Sequence, residues 1–126
     1  MTTERVEIGE DDILYRRLAI KGHLNEDGSV NSNAFKLRGK PDPEISVDLA
    51  KLTTREDSIK RAKRSDACIG ILRVRDIRSM GLRVAHKPTP ENPAHCVIEG
   101  NKSKSNCRDL AKLITEIYKP TTPKPE

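Results

Sequence analysis

The chain has 126 residues and a net charge of +5, and it is 34% hydrophobic and 34% charged. This length suits one domain, and the apolar content is too high for a disordered chain. The acidic start MTTERVEIGEDD does not fit a signal peptide, and no run approaches the roughly 20 apolar residues that span a bilayer. The three cysteines are an odd set without close spacing, which is typical of a reducing compartment, so we expect a cytoplasmic protein.

The first third of the chain predicts one strand between two irregular segments. Residues 1–11 are polar and predict a flexible lead-in. The β-branched and aromatic residues over 13–19 (ILYRRLA) are typical of a strand. Residues 21–35 are rich in Asn, Gly, Asp and Ser, and they predict an extended surface loop that ends at Phe35 as an apolar anchor.

Strict alternation of apolar and polar residues marks the segment EISVDLA as a half-buried strand. Ile45, Val47 and Leu49 share the apolar face, so Ser46 and Asp48 point to the opposite face. We expect that opposite face to be the less buried one.

The middle of the chain alternates helices with strands. A threonine cap, acidic residues and then cations predict a surface helix over 53–64, and the apolar run at 67–74 predicts a central strand. A short helix follows and ends at Gly81, which suits a left-handed cap. Residues 82–86 and 95–99 predict the last two strands, joined by a loop that holds three prolines.

The C-terminal segment predicts an amphipathic helix over 105–118 and a disordered tail over 119–126. The apolar stripe of this helix consists of Leu110, Leu113, Ile114 and Ile117. Together the elements predict a single domain over 12–118 of α+β or α/β class, with one sheet of about five strands and two or three helices packed on it.

Five segments of the chain, ILYRR, SNAF, ISVDLA, GILRVRDIRSMGLRV and NPAHCVIEG, follow one another in this order. In these segments, which lie within residues 12–100, the chain resembles a group of small bacterial proteins to which no activity is assigned. The resemblance implies one compact bacterial domain and implies nothing about mechanism.

Two histidines, His86 and His95, stand at the ends of the proline loop, and pairing of the flanking strands would bring them near each other. Two imidazoles could bind a divalent metal, but Cys96 points to the face opposite His95 and no further ligand is close in sequence. We therefore predict no metal site and no cofactor. The prolines stiffen the loop, and His95 either makes a structural hydrogen bond or serves a functional site.

A candidate site follows from the alternation along the strands. The side chains that point away from the apolar faces of the strands at 45–49 and 95–99 gather on one side of the sheet. Arg16 and Arg17 point to opposite sides of the first strand, so one of them is directed inward, toward a carboxylate or a bound anion. The candidate catalytic or ligand-binding residues are Arg16, Arg17, Ser46, Asp48, His95 and Glu99.

An arginine on the first strand, a serine on a middle strand and a glutamate on a later strand also form the running order of one class of ADP-ribosyltransferases. In that interpretation Arg16 or Arg17 holds a phosphate of NAD. Ser46 orders the nicotinamide half, and Glu99 stabilises an oxocarbenium-like transition state.

A second candidate surface is cationic. Acidic residues are sparse between 58 and 90, and seven cations predict a surface for an anionic partner. They are Lys60, Arg61, Lys63, Arg64, Arg73, Arg75 and Arg78. Because no aromatic residues are interleaved with them, nucleic acid is expected only as a non-specific partner.

The sequence as a whole predicts a small, basic, cytoplasmic binding or accessory protein whose partner is an unidentified protein or anionic ligand. A minimal ADP-ribosyltransferase-like or other NAD-directed enzyme is one alternative, and non-specific nucleic-acid binding is another. A core with few aromatic residues adds self-association as a further expectation, and no association with a membrane is expected.

Overall fold

The computed structural model describes residues 6–37, 40–41, 44–62, 65–100, 103–114 and 116–119. The strands are β1 Ile13–Ala19, β2 Lys36–Leu37, β3 Lys40–Pro41, β4 Glu44–Leu49, β5 Ala67–Arg73, β6 Arg83–His86, β7 His95–Glu99 and β8 Ile117–Tyr118. The helices are α1 Ile20–His23, α2 Arg55–Ala62, α3 Val74–Ser79 and α4 Lys104–Leu113. Short 3-10 turns span Ser32–Phe35 and Ala50–Leu52.

The main sheet has six strands in the order β6-β7-β4-β1-β5-β8, and β2 pairs with β3 separately. All of these described pairs are antiparallel, which confirms the α+β class and not the α/β alternative. Within the described residues the sheet has one strand more than expected, and four helices accompany it instead of two or three.

The two faces of the sheet differ sharply in character. Strand register places Leu14 beside Leu49 and Leu72 on what we call the core face, and each of these side chains is fully buried. The same register places Tyr15 beside Asp48 on the opposite face, which we call the polar face. The turn at Ser32–Phe35, α3 and α4 contribute to the cluster on the core face, and the predicted anchor Phe35 is fully buried there.

Several sequence-predicted boundaries are confirmed. β1 covers the predicted residues 13–19. α2 begins after Thr54, whose Oγ1 accepts a hydrogen bond from the amide of Asp57 at 3.1 Å. α3 is followed by Gly81 with a φ of 80°, a left-handed conformation that favours glycine.

The predicted C-terminal helix over about 105–118 starts close to the expected residue and is wrong at its C-terminal end. α4 begins after Ser103, which forms a reciprocal capping box with Asn106: each side chain accepts a hydrogen bond from the other residue's amide. The helix ends at Leu113. Of the predicted tail, only Lys119 lies among the described residues.

The edge of β5 explains why the helix stops early. Ile117 pairs with Gly70 in β8, and the amide of Ile71 donates a hydrogen bond to the carbonyl of Glu116 at 3.1 Å. An uncovered strand edge presents backbone groups that need partners, and the chain after α4 supplies them. Ile117 therefore belongs to a sixth strand and not to the predicted helical stripe.

The predicted flexible lead-in makes defined contacts from Val6 onward. The amide of Val6 donates a hydrogen bond to Nδ1 of His86 at 3.0 Å, and the amide of Arg75 donates one to the carbonyl of Glu10 at 3.2 Å. Residues from Val6 onward thus contact the domain that the sequence predicts to start at residue 12, while residues 1–5 lie outside the described part of the chain.

The close approach of α4 to the sheet depends on a glycine. A Cβ atom at Gly70 would lie 2.8 Å from Cδ1 of Ile114 and 3.0 Å from Cδ1 of Leu18. We predict that Gly70→Ala lowers the free energy of unfolding by about 1–3 kcal/mol, because the added methyl group overpacks this contact. Urea denaturation followed by circular dichroism measures the change.

Ile114→Val is the matched background for this test, because it removes the carbon nearest to the new methyl group. Gly70→Ala should cost clearly less in the Ile114→Val protein than in the wild type. An equal cost in both proteins would show that Gly70 does not make room for Ile114.

Candidate functional site

A fully buried carboxylate lies on the polar face. Asp48 of β4 has no exposed surface, and Ser58 Oγ donates a hydrogen bond to its Oδ2 at 2.6 Å. Nδ2 of Asn92, from the proline loop, donates a second hydrogen bond to Oδ1 at 2.8 Å. The expectation that Asp48 lies on a less buried face is therefore wrong, because α2, which carries Ser58, packs over it.

Two arginines share this carboxylate. Nη2 of Arg17 lies 3.6 Å from Oδ1 of Asp48, and Nη1 of Arg61 lies 3.4 Å from Oδ2. The Arg17 and Arg61 side chains remain 24% and 26% exposed. Among the described residues Asp48 is the one carboxylate that pairs with either arginine, so one positive charge of the group is not neutralised.

Arg16 points to the core face, opposite to Arg17, as the alternation along β1 predicts. Its Nε and Nη2 donate hydrogen bonds to the carbonyl of Ala34 at 3.1 and 2.7 Å, and its Nη1 donates to the carbonyl of Ser46 at 2.9 Å. The guanidinium carbon also lies 5.7 Å from the centre of the Phe35 ring. Arg16 thus ties β1 to β4 and to the turn at Ser32–Phe35.

The pairing of β1 with β4 is short. Its described register ends at Tyr15 and Asp48, whereas β1 continues to pair with β5 as far as Ala19. Beyond Tyr15, Arg16 spans the distance to β4 through the carbonyl of Ser46. The two central strands therefore diverge and leave an opening within the sheet.

We call this opening the split-sheet cleft. Its volume is about 290 Å³. The charged and polar residues that line it are Arg16, Arg17, His23, Ser46 and Arg61. The guanidinium groups of Arg17 and Arg61 flank one buried carboxylate on the polar face, and Arg16 borders the opening from the core face, so the cleft is electropositive and suits an anion.

His95 orients the hydroxyl group of Ser46. Nδ1 of His95 lies 2.8 Å from the carbonyl oxygen of Lys87, and Nε2 lies 3.3 Å from Ser46 Oγ. A carbonyl oxygen only accepts hydrogen bonds, so Nδ1 of the neutral ring carries the proton and Nε2 accepts from the serine. The structure thus brings Ser46 and His95 together, and His95 affects the cleft through Ser46.

Glu99 shares the polar face with Ser46 but is not part of the cleft lining. Its carboxylate lies 3.0 Å from Nζ of Lys87 and 3.9 Å from Nε of Arg83. Hydrogen bonds to Glu99 first, and then to Glu44, raise the pKa of Lys87 above its usual value. Glu99 therefore belongs to a surface cluster of ion pairs at the β6 and β7 end of the sheet.

Hydrogen bonds of His86 and His95 hold the two ends of the proline loop. His86 is 5% exposed, and its Nε2 donates a hydrogen bond to the carbonyl of Pro93 at 2.8 Å while Nδ1 accepts one from the lead-in.

Cys96 is buried on the core face, and burial raises the pKa of its thiol to about 12. No group of three or more His, Cys, Asp or Glu residues in the described ranges is placed to hold a metal ion.

The predicted cationic surface is divided between the two faces of the sheet. α3 buries Val74 in the cluster on the core face, and it carries Arg75 and Arg78. Both of these arginines pair with acidic residues of the lead-in, and Nη2 of Arg75 lies 2.9 Å from Asp11. α2, which carries Lys60, lies over the polar face instead.

The remaining members of that predicted surface are Arg61, Arg73, Lys63 and Arg64. Arg61 belongs to the split-sheet cleft through its contact with Asp48. Arg73 is exposed at the end of β5. Lys63 and Arg64 lie outside the described residues.

Three residues of the site were not found by sequence reasoning: His23, Ser58 and Asn92. Asn92 immediately precedes Pro93, and the proline restricts the backbone of Asn92 to extended conformations. The hydrogen bond of its side-chain amide to Asp48 has no signature in the sequence. Ser58 is the one buried residue of α2. Because this helix has few apolar residues, a serine could have been expected to contribute to its contact with the sheet. Nδ1 of His23 accepts a hydrogen bond from the Ala19 amide at 3.0 Å, a contact with no sequence signature.

Comparison of the chain with protein-family models, with curated proteins and with solved structures gives no match in any of the three. Within the described part of the chain, no helix has the length and apolar character needed to cross a membrane. The functional interpretation therefore rests on the geometry of the split-sheet cleft.

The buried carboxylate yields a stability prediction. We expect Asp48→Asn to lower the free energy of unfolding by about 3–5 kcal/mol, because Arg17 and Arg61 lose their counter-charge inside the fold. Chemical denaturation measures the change. Glu99→Gln is the control, because it removes a carboxylate of the same face that is partly exposed, and it should cost less than about 1 kcal/mol. Equal, small costs for both variants would contradict a structural role for Asp48.

Proposed function

We propose that this protein binds a small phosphate-bearing ligand in the split-sheet cleft and acts as a binding or accessory protein. The observation that carries the proposal is the sharing of one buried carboxylate by Arg17 and Arg61. Two guanidinium groups next to a single carboxylate retain a positive charge at the mouth of the cleft. An anion would neutralise that charge.

The arginines keep donors available for a ligand. Arg17 contacts Asp48 through Nη2, and Arg61 contacts it through Nη1. Nη1 of Arg61 also donates to Thr53 Oγ1 at 3.0 Å, which leaves its other nitrogens for further partners. A guanidinium fork matches two oxygens of a phosphate group, so the outer edges of both side chains suit this ligand class.

Asp48 also supports binding by fixing both arginines before a ligand arrives. A flexible arginine loses side-chain entropy when it binds, and that loss lowers affinity. Asp48 restricts both guanidinium groups in the unliganded protein, and Ser58 and Asn92 in turn fix the carboxylate. The cleft is therefore preorganised for an anion.

The two alternatives have less support. A transferase mechanism needs Glu99 beside the ligand, whereas its contacts are with Lys87 and Arg83 on the sheet surface. Non-specific nucleic-acid binding needs a continuous cationic surface. The cations of α2 and α3 lie on opposite faces, and Arg75 and Arg78 already pair with acidic residues.

Isothermal titration calorimetry with pyrophosphate tests the proposal. We expect Arg17→Gln and Arg61→Gln each to weaken pyrophosphate binding about tenfold or more, because each removes charge-assisted hydrogen bonds. Arg83→Gln is the matched control, because its side chain is 71% exposed and lies outside the cleft, and it should leave affinity unchanged.

Arg61→Lys separates binding from stability, because a lysine can still pair with Asp48 but lacks the planar fork. This variant should melt near the wild-type temperature and still bind pyrophosphate more weakly. If Arg17→Gln and Arg61→Gln both bind pyrophosphate with wild-type affinity, the proposal is wrong. An oligonucleotide that binds more tightly than pyrophosphate, and is weakened by Arg75→Gln, would favour nucleic-acid binding instead.

A further inference from the structure

We propose that the protein has a second ligand site, which takes a small planar ring that carries a phosphate or carboxylate group. The site is a cleft of about 550 Å³ that we call the tyrosine cleft. Tyr15, Ile71, Arg73 and Lys112 are among the residues that line it. It lies at the N-terminal end of α2, where Arg55 borders it, whereas Arg61 near the other end of this helix borders the split-sheet cleft.

The floor of the tyrosine cleft is apolar. Ile13, Tyr15 and Ile71 belong to adjacent strands, with Tyr15 in direct register with Ile71, and their alternation places all three on the polar face. α2 leaves each of them only partly buried. Leu113, at the end of α4, adds a further apolar side chain to the lining. Accessible apolar surface beside a tyrosine ring favours a flat, apolar group through burial and ring stacking.

The rim of the cleft carries cations that form no ion pair with any described residue. The side chains of Arg73 and Lys112 are exposed, and neither has a hydrogen bond or ion pair to any described residue. Of the two acidic residues in the lining, Asp76 and Glu116, Asp76 has no ion pair to any described residue, so two unpaired cations and one unpaired carboxylate border the cleft. Arg55, by contrast, already lies 3.6 Å from Glu116.

Floor and rim together define the ligand class. A ring can cover the apolar floor while its anionic group reaches the cations of the rim, where charge-assisted hydrogen bonds are strong. A guanidinium can also stack on an aromatic ligand, which adds to the preference for a ring. The tyrosine cleft shares no lining residue with the split-sheet cleft, so the two sites can be tested separately.

The experiment is an NMR titration of the full chain with four probes. Phenyl phosphate should bind and shift the signals of Tyr15 and Ile71 in a saturable manner. Inorganic phosphate lacks the ring and benzyl alcohol lacks the charge, so each should bind at this cleft at least about tenfold more weakly. Benzoate tests the carboxylate form of the same chemistry, and its affinity relative to phenyl phosphate shows which anionic group is preferred.

Arg73→Gln and Lys112→Gln are the test variants, and both should fold as the wild type does because neither side chain has a partner in the described structure. Each should weaken phenyl phosphate binding about three- to tenfold. Lys60→Gln, an exposed cation outside the lining, and Arg61→Gln, whose side chain lines the split-sheet cleft and not the tyrosine cleft, should leave the shifts of Tyr15 unchanged.

The proposal is overturned if inorganic phosphate binds the tyrosine cleft as tightly as phenyl phosphate, since the floor would then contribute nothing. It is also overturned if Arg73→Gln and Lys112→Gln both bind phenyl phosphate as the wild type does. Shifts of Tyr15 that disappear in Arg61→Gln would assign the ligand to the split-sheet cleft alone.

Discussion

The buried carboxylate of Asp48 connects β4 to β1, to α2 and to the proline loop. A buried charge is unfavourable unless it is paired and hydrogen-bonded, and here Ser58, Asn92 and two guanidinium groups share that task. The one buried residue of α2 is Ser58. A polar contact thus anchors this helix over Asp48, and Asn92 of the proline loop binds the same carboxylate.

This arrangement also explains why the polar face has clefts at all. α2 is short and has little apolar surface, so it covers only part of that face. Residues of β1 are therefore accessible beyond each end of α2. The split-sheet cleft lies at one end with Arg17 and Arg61, and the tyrosine cleft lies at the other with Tyr15 and Arg55. Both proposed sites thus border α2, and the contact between Ser58 and Asp48 fixes the helix between them.

Features that depend on local sequence patterns were predicted correctly. Features that depend on contacts with residues distant in sequence were not. Alternation along β4 correctly separated Ile45 and Val47 from Ser46 and Asp48, because side-chain direction in a strand has a period of two. Burial of Asp48 was not predictable, since its amide partner Asn92 is 44 positions away. The C-terminal helix was overextended because Ile117 fits a helical stripe as well as a strand, and only the uncovered edge of β5 decides between them.

The most direct test of the central claim follows the guanidinium NMR signals of the arginines while pyrophosphate is added. We expect the signals of Arg17 and Arg61 to shift in a saturable manner, because their shared carboxylate leaves a positive charge for the ligand. The signals of Arg75 and Arg78 should stay in place, because each already pairs with an acidic residue. Shifts confined to Arg75 and Arg78, with Arg17 and Arg61 unmoved, would contradict the claim that the split-sheet cleft is the anion site.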